Sequence, residues 1–238
     1  MVAAAQKFSP NYINLAEKLI MDKGQVVVEV PVIIVGAGPS GLATAASLTT
    51  LSITSLILER DDCIAPLWRK RTYDRLHLHL AKRFSQLPHF PHPPATPTFI
   101  PKNHFLSYLD GYAVKFNLTS LVRLRREVKS AYLDKKTGKW RVSVQNNEQH
   151  EQIAEEYVAK YLVVASGEND VPWVPGIPGM ETFPGEVMHS SRFRFGSEFK
   201  GKSVLVVGSG NSGMEIAHDL CTSQASTSLA VRNPVSNY

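Results

Sequence analysis

Apolar positions along this chain fall into three patterns. Short continuous runs rich in Val, Ile and Leu stand at 31–35, 55–58, 161–165 and 202–207. A segment apolar on both faces is a strand buried within a parallel sheet. Small-residue stretches follow two of these runs, at 40–51 (with Ala43, Ala45 and Ala46) and at 211–220, and they read as helices able to approach a sheet closely. A further strand at 227–231 closes a second strand–helix–strand unit like the first.

The second pattern is helical spacing without small residues. From Asn103, the apolar positions Phe105, Leu106, Leu109, Tyr112 and Ala113 mark an amphipathic helix. A shorter leader helix is expected over 11–21. The third pattern is period-two alternation over 127–158, broken by KKTG and QNNEQ, which predicts a small antiparallel meander. Between these, 67–101 is crowded with proline, histidine and aromatic residues and is expected to be mostly irregular. VPWVPGIPG, at 171–179, reads as a stiff linker between two lobes.

Composition narrows the picture. A chain of 238 residues, 43% hydrophobic, can bury a substantial core, so fibrous and disordered classes are excluded. Two cysteines, Cys63 and Cys221, build no disulfide framework and form no CxxC pair, so a reducing compartment is expected. The first 24 residues mix Lys7, Glu17, Lys18, Asp22 and Lys23 with apolar groups and lack the apolar core of a secretory signal. The longest apolar stretch, 26–35, is interrupted by Glu29 and Pro31 and is too short to cross a bilayer. The net charge of +5 and the cluster Arg123, Arg125, Arg126 raise the possibility of nucleic acid. These arginines alternate with Leu121, Val122 and Leu124 after a helical segment, without the aromatics that stack on bases. A solvated basic face with anionic cofactors nearby, and no nucleic acid, is the expectation.

The chemistry lies in VIIVGAGPSG, residues 32–41, which returns as VLVVGSGNSG at 204–213. In a strand–turn–helix unit the first glycine makes the turn, the second admits a pyrophosphate and the third lets helix meet strand. Gly36, Gly38 and Gly41 fill these places in the first copy, and Gly208, Gly210 and Gly213 in the second. Glu59 follows Gly36 by 23 residues (59 − 36), where a carboxylate can accept from the ribose hydroxyls of an unphosphorylated adenosine. Arg232 follows Gly208 by 24 (232 − 208), where a guanidinium can clamp a 2′-phosphate. Two dinucleotide sites imply electron traffic between a held FAD and a mobile NADPH. A disulfide reductase would need a redox cysteine pair after the first loop, and only Cys63 stands there. The fold class is α/β: a Rossmann-like FAD domain with a β-meander insert, followed by a partial NADPH-binding Rossmann domain. The expected boundaries are a leader at 1–29, the FAD domain at 30–171, a linker at 172–200 and the NADPH part at 201–238.

FPGEVMHSSRF, at 183–193, matches the F-x-G-x-x-x-H-x-x-x-[FY] fingerprint of class B flavin monooxygenases. With SGLATAA, LERDDCIAPLW, TYDRLHLHLAK and VVASGEND in the same order, the chain resembles the YUCCA branch of plant flavin-containing monooxygenases from about Val30 to Val231. Baeyer–Villiger relatives would carry Trp at the place of Phe193. This sequence departs from the branch's pattern at Arg194, where Lys or Pro is usual, and at Ser166, where Thr is usual. The resemblance places FAD at Gly36, Ala37, Gly38, Pro39, Ser40, Gly41, Glu59, Arg60, Trp68, His79, Ser166 and Gly167. It places NADPH at Gly208, Ser209, Gly210, Asn211, Ser212, Gly213 and Arg232.

By the same resemblance NADPH reduces FAD, the reduced flavin activates O₂, and indole-3-pyruvate is oxidatively decarboxylated to indole-3-acetic acid, the auxin. No side-chain nucleophile is assigned. His189 reads as a fingerprint residue that shapes the lobe junction. His77, His79, His89 and His92 have no acidic or thiol companion at ligand spacing, so no metal is assigned either. The implied partners are a 2-oxo acid and O₂, and the implied location is cytoplasmic, with association at the endoplasmic reticulum surface left open. Two rival readings follow. Because the chain stops after one βαβ unit of its second part, it is expected to be truncated relative to its family and to bind FAD or partners only. Alternatively, the same machinery oxygenates nitrogen or sulfur in soft nucleophiles.

Overall fold

The computed structural model of the chain describes residues 18–22, 25–148 and 153–232. β1 (Lys18–Asp22) leads into β2 (Gln25–Val35), whose β-branched residues suit a pleated strand. α1 (Pro39–Thr50) begins directly after the first glycine turn, with Pro39 at its first position, where no backbone N–H is needed. β3 (Ser55–Leu58), α2 (Pro66–Lys70), β4 (His77–Ala81), α3 (Lys82–Ser85) and β5 (Phe99–Pro101) follow. Then come α4 (Lys102–Lys115), β6 (Val122–Arg123), β7 (Arg126–Asp134), β8 (Lys139–Asn146) and β9 (Ile153–Val164). β10 (Ser203–Val207), α5 (Asn211–Thr222) and β11 (Ser226–Ala230) close the described chain.

These elements build two compact units. Of the described residues, the first takes those up to 66, 87–90 and 109–167; the second takes 67–86, 91–108 and those from 168 onward. In the first unit a seven-stranded sheet runs in the order β6-β3-β2-β9-β8-β7, with β1 also paired to β2. β3, β2 and β9 are parallel, Ile33 standing beside Leu56 on one side and Leu162 on the other. Successive residues alternate between the two faces of the sheet. Val32, Ile34 and Ile57 pack against Leu42, Ala45 and Ala46 of α1, with Tyr112, Ala113 and Leu118 beside them. Ile33, Leu56 and Leu58 pack against Val142, Val144 and Tyr157 of the meander. The apolar runs at 31–35 and 55–58 are therefore strands with both faces covered, whereas the runs at 161–165 and 202–207, expected to be buried likewise, expose Tyr161, Val164, Leu205 and Val207.

Three expectations need correction here. The leader helix over 11–21 lies mostly outside the described residues. Where it is described, 18–22 is a strand antiparallel to β2, in register Lys18 with Glu29. β3 reaches only Val32–Val35, so the earlier half of that β2 edge would leave its hydrogen-bonding groups unpaired without β1. Second, the meander's last strand and the run at 161–165 are one strand, β9. Its early residues pair with β8 up to Ala159, and its later residues pair with β2 up to Val164. Third, the stretch 67–101 is not without order: β4 pairs antiparallel with β5, and α2 and α3 flank β4. Its prolines at 88, 91, 93, 94 and 97 stay in the loop, and Pro101 ends β5, a short edge strand that tolerates a missing N–H.

Within the arginine cluster, Arg126 differs from the expected solvated face, while Arg125 is half exposed beside Asp62. A 3₁₀ turn (Leu118–Leu121) precedes β6 and β7, which carry Arg123 and Arg126. The Arg126 side chain is 12% exposed and bonds Glu148 at 2.8 Å and Glu155 at 3.1 Å. Glu155 also accepts from Asn146 and from the Tyr157 hydroxyl, each at 2.7 Å. Burial followed by the neighbouring Glu155 pushes the Tyr157 hydroxyl well above its ordinary range, so it stays a donor to that carboxylate. Arg126, with Asn146, Glu155 and Tyr157, ties the three meander strands together.

The second unit holds the β4–β5 ribbon and the parallel pair β10–β11, Val206 beside Leu229, with α5 between them in sequence. Tyr73, Phe193, Ile216, Leu220 and Ala225 form its core. The segment 171–179 has no helix or strand, and Trp173 and Val171 on it are exposed. Leu205 and Val207 on β10 are each 62% exposed, so one face of this pair is open among the described residues.

Replacing Arg126 with Met keeps the aliphatic length but leaves the Glu155 carboxylate on neutral donors alone. We expect a loss of about 2–3 kcal/mol, read as a lower urea midpoint at unchanged slope.

Candidate functional site: two glycine turns of one geometry

Gly208 lies 172 positions after Gly36 (208 − 36), and the same shift carries one turn onto the other residue by residue. Gly36 and Gly208 have φ of +104° and +106°, a left-handed conformation that glycine adopts without strain. The Gly36 N–H donates to Leu58 O at 2.8 Å, and the Gly208 N–H donates to Ala230 O at 2.9 Å. Leu42 N–H meets Gly38 O and Met214 N–H meets Gly210 O, both at 3.0 Å. α1, Pro39–Thr50, maps onto α5, Asn211–Thr222, end to end.

The glycines separate by what surrounds them. A Cβ on Gly41 would lie 1.9 Å from the Gly36 carbonyl oxygen, and one on Gly213 would lie 2.1 Å from that of Gly208. These positions let the helix start hard against the strand end. A Cβ on Gly38 or Gly210 would meet nothing within 4 Å. The middle glycines therefore face open space, as a closely approaching ligand requires. Neither helix is capped by a side chain at Gly38 or Gly210. The N–H groups of a first turn have no partner within the helix, and they sit at the positive end of its dipole. An anion placed there satisfies both.

The first turn gathers most of its expected residues within its own unit. Glu59 is 6% exposed at the end of β3. Its Oε2 accepts from the Ala37 N–H at 2.7 Å, and its Oε1 accepts from the Asp61 N–H at 2.9 Å. The carboxylate thus braces the turn as well as facing it, with one further lone pair on each oxygen. A Cβ on Gly36 would lie 2.5 Å from the Ala165 oxygen, which brings Ser166 and Gly167 beside the turn, both exposed. Ala37 is buried, Pro39 half-buried, and Ser40 and Arg60 exposed. Trp68 and His79 fall in the second unit. Trp68 meets Phe105 edge-on at 4.7 Å between centroids, and His79 is exposed on β4.

The second turn exposes Ser209, Asn211 and Ser212. Under the shift, Val231 takes the place of Glu59, and Arg232, which is exposed, takes that of Arg60. No carboxylate stands where an unphosphorylated ribose would be read.

The fingerprint segment packs against this second helix. His189 Nδ1 accepts from the Ser191 N–H at 3.1 Å and caps a 3₁₀ turn (Ser190–Arg192). Phe193 is 4% exposed and meets Tyr73 edge-on at 6.3 Å. Arg194 donates to the carbonyls of Ser191, Phe193 and Lys70, using a planar fork that Lys or Pro lacks. Sequence reasoning passed over Tyr73, Glu215 and Asp219. One sign of them was present: α1 and α5 match closely, yet α5 carries Glu215 and Asp219 where α1 has Ala43 and Ser47.

Two uncapped glycine turns of one geometry on an α/β scaffold mark the two-dinucleotide flavoprotein class. The chain belongs to the flavin-binding monooxygenase-like family, whose model matches residues 29–235. It is 50% identical over 206 residues to the probable indole-3-pyruvate monooxygenase YUCCA10 of Arabidopsis thaliana, covering 87% of this chain and 53% of that protein. It is 49% identical over 205 residues to the indole-3-pyruvate monooxygenase YUCCA6 of the same plant, covering 85% and 48%. The chain thus spans about half the length of these relatives. Among solved structures, a flavin-containing monooxygenase from Stenotrophomonas maltophilia matches with a TM-score of 0.72 at 25% identity, over 84% of this chain and 57% of that one.

The contrast between the glycines is testable without any ligand. Gly41→Ala forces backbone apart and should cost about 2–4 kcal/mol, whereas Gly38→Ala should stay within about 0.5 kcal/mol of the parent. Urea midpoints of the two variants check both figures.

Proposed function

We propose that this chain carries the FAD and NADPH sites of a flavin-dependent monooxygenase acting on indole-3-pyruvate. The observation that carries this reading is the repeated turn. Two uncapped helices start against parallel strands, each with an open middle glycine, and only one is braced by a strand-end carboxylate. The names of the relatives supply the substrate class, a 2-oxo acid bearing an indole. We assign 30–171 to the FAD part, 172–200 to the linker with its fingerprint and 201–238 to the NADPH part.

The residues fit this assignment. Amides of the first turn of α1, next to Gly38, Ser40 and Gly41, would hold the FAD pyrophosphate, and Glu59 would offer its remaining lone pairs to the ribose. Arg60, Trp68, His79, Ser166 and Gly167 remain assigned to the same cofactor. Amides next to Gly210, Asn211 and Ser212 would hold the NADPH pyrophosphate, and Arg232 would pair with its 2′-phosphate. Bound FAD supplies electron transfer from NADPH and activation of O₂, which no side chain can do. The chain's own task is to bind, orient and exclude water around the reacting carbonyl. The overall change balances as indole-3-pyruvate, O₂, NADPH and a proton giving indole-3-acetic acid, CO₂, NADP⁺ and water. Among the described residues no helix is long and apolar enough to cross a membrane. The reading places the protein in the cytoplasm and gives it no nucleic-acid partner.

The test is purified protein supplied with NADPH, indole-3-pyruvate and ¹⁸O₂. Co-purifying flavin absorbance and indole-3-acetic acid carrying one labelled oxygen are expected. Untouched indole-3-pyruvate alongside oxygenation of an added thioether or amine would overturn the substrate assignment. Gly38→Val should abolish flavin absorbance while circular dichroism is retained. Arg232→Ala should raise the Kd for NADPH about tenfold and leave that for NADH unchanged, read by titration.

A further inference from the structure

Besides the second glycine turn, the second unit contains a polar linkage that has no counterpart at the first turn among the described residues. Three alternate residues of one segment reach out of it: Arg71 to Asp170 at 3.0 Å, Tyr73 to Glu215 at 2.5 Å and Arg75 to Asp219 at 3.7 Å. Two of these grip α5, and they grip the two carboxylates that have no counterpart in α1. Glu215 and Asp219 lie one helical turn apart and so share a face. Asp219 is further fixed by accepting from the Gly196 N–H at 2.8 Å. A Cβ on Gly196 would lie 2.5 Å from the Asp219 backbone carbonyl oxygen, so the fingerprint's continuation is pressed against the helix.

Tyr73 is the member that reaches the turn itself. It is 4% exposed, its ring seated among Phe193, Ile216 and Leu220, while its hydroxyl donates to Glu215. The Ser212 side chain, on the second residue of α5, lies near enough to act on the same hydroxyl. The Tyr73–Glu215 bond thus stands beside Ser212, at the end of the helix where an anion would bind. Burial, then the bond to Glu215 and its charge, push the Tyr73 hydroxyl above its ordinary range and outweigh the opposing Ser212 and Arg75. It therefore remains protonated and remains a donor.

The electrostatic reason for such a clamp is simple. A carboxylate one turn into a phosphate-binding helix opposes the incoming anion, and an unpaired one in a half-buried place does so more strongly. A hydrogen bond from a fixed, buried donor disperses that charge and holds the side chain in place. We propose that Tyr73 is a positioning residue of the second dinucleotide turn: through Glu215 it holds the first turn of α5 in its anion-binding form and keeps the Glu215 charge engaged. This rests on the reading of the second turn as the NADPH site.

The experiment compares wild type, Tyr73→Phe, Tyr73→Phe with Glu215→Gln, and Gly210→Val, using NADP⁺ as the probe. Tyr73→Phe retains the ring and its packing. Its Kd for NADP⁺ should rise about tenfold, the size of a lost bond to a charged group, with flavin content unchanged. Adding Glu215→Gln should restore most of the affinity, because the charge left unpaired is gone. Without ligand, amide exchange over 211–215 should quicken in Tyr73→Phe and not elsewhere in α5. A tyrosine that merely fills the core would lower the melting temperature without rescue by Glu215→Gln. That outcome, or wild-type affinity in Tyr73→Phe, overturns the proposal while Gly210→Val still abolishes binding. If wild type and Gly210→Val bind NADP⁺ alike, or neither binds, the assignment of the second turn falls and the proposal with it.

Discussion

Everything else about the two turns depends on how closely a helix can start against the end of a parallel strand. The carbonyl of the turn's first glycine comes so near the third that a Cβ there would lie 1.9 Å away in one copy and 2.1 Å in the other. Only glycine permits that approach. Given it, the helix axis points its free N–H groups at the space above the strand end, and the middle glycine leaves that space open. The positive φ of Gly36 and Gly208 follows from the same need, since the chain must reverse within one residue of the strand.

The two turns then diverge through what braces them. Around the first, a buried carboxylate does the bracing: Glu59 takes one backbone N–H from the turn and one from the chain that leaves β3. The Arg125 N–H donates to Asp61 O and the Arg126 N–H to Glu59 O, so the same strand end is tied to the meander. Around the second, the place of Glu59 belongs to Val231, and the bracing acts on the side chains of α5 itself. Tyr73 and Arg75 hold its outer carboxylates, while Phe193, Ile216 and Leu220 hold its apolar side. One backbone motif thus serves in two environments, and the difference lies in which polar groups surround it.

Arg194 shows how a departure from a family pattern can be absorbed. Where Lys or Pro is usual, the guanidinium donates to three carbonyls, those of Ser191, Phe193 and Lys70. Carbonyls that end a 3₁₀ turn or a short helix lack partners within it. A flat, multi-donor group satisfies several at once, which neither a point charge nor an imino acid can.

The sequence by itself determined the parts that rest on local spacing. Runs of β-branched residues marked β2, β3 and β10, small residues marked α1 and α5, and the glycine triplets placed both turns to within a residue or two. These features are set by backbone sterics within a few positions, so they are written in adjacent letters. Tertiary structure decided what depends on distant partners. That β9 is one strand serving two neighbours, that 18–22 is a strand edge and that Arg126 is paired and largely buried all follow from strands brought together across the chain. The linkage of Tyr73 to Glu215 spans 142 positions, and nothing near either residue specifies the other. Hydrogen bonds of that kind are fixed only once burial makes an unpaired polar group costly, and burial is a property of the folded whole.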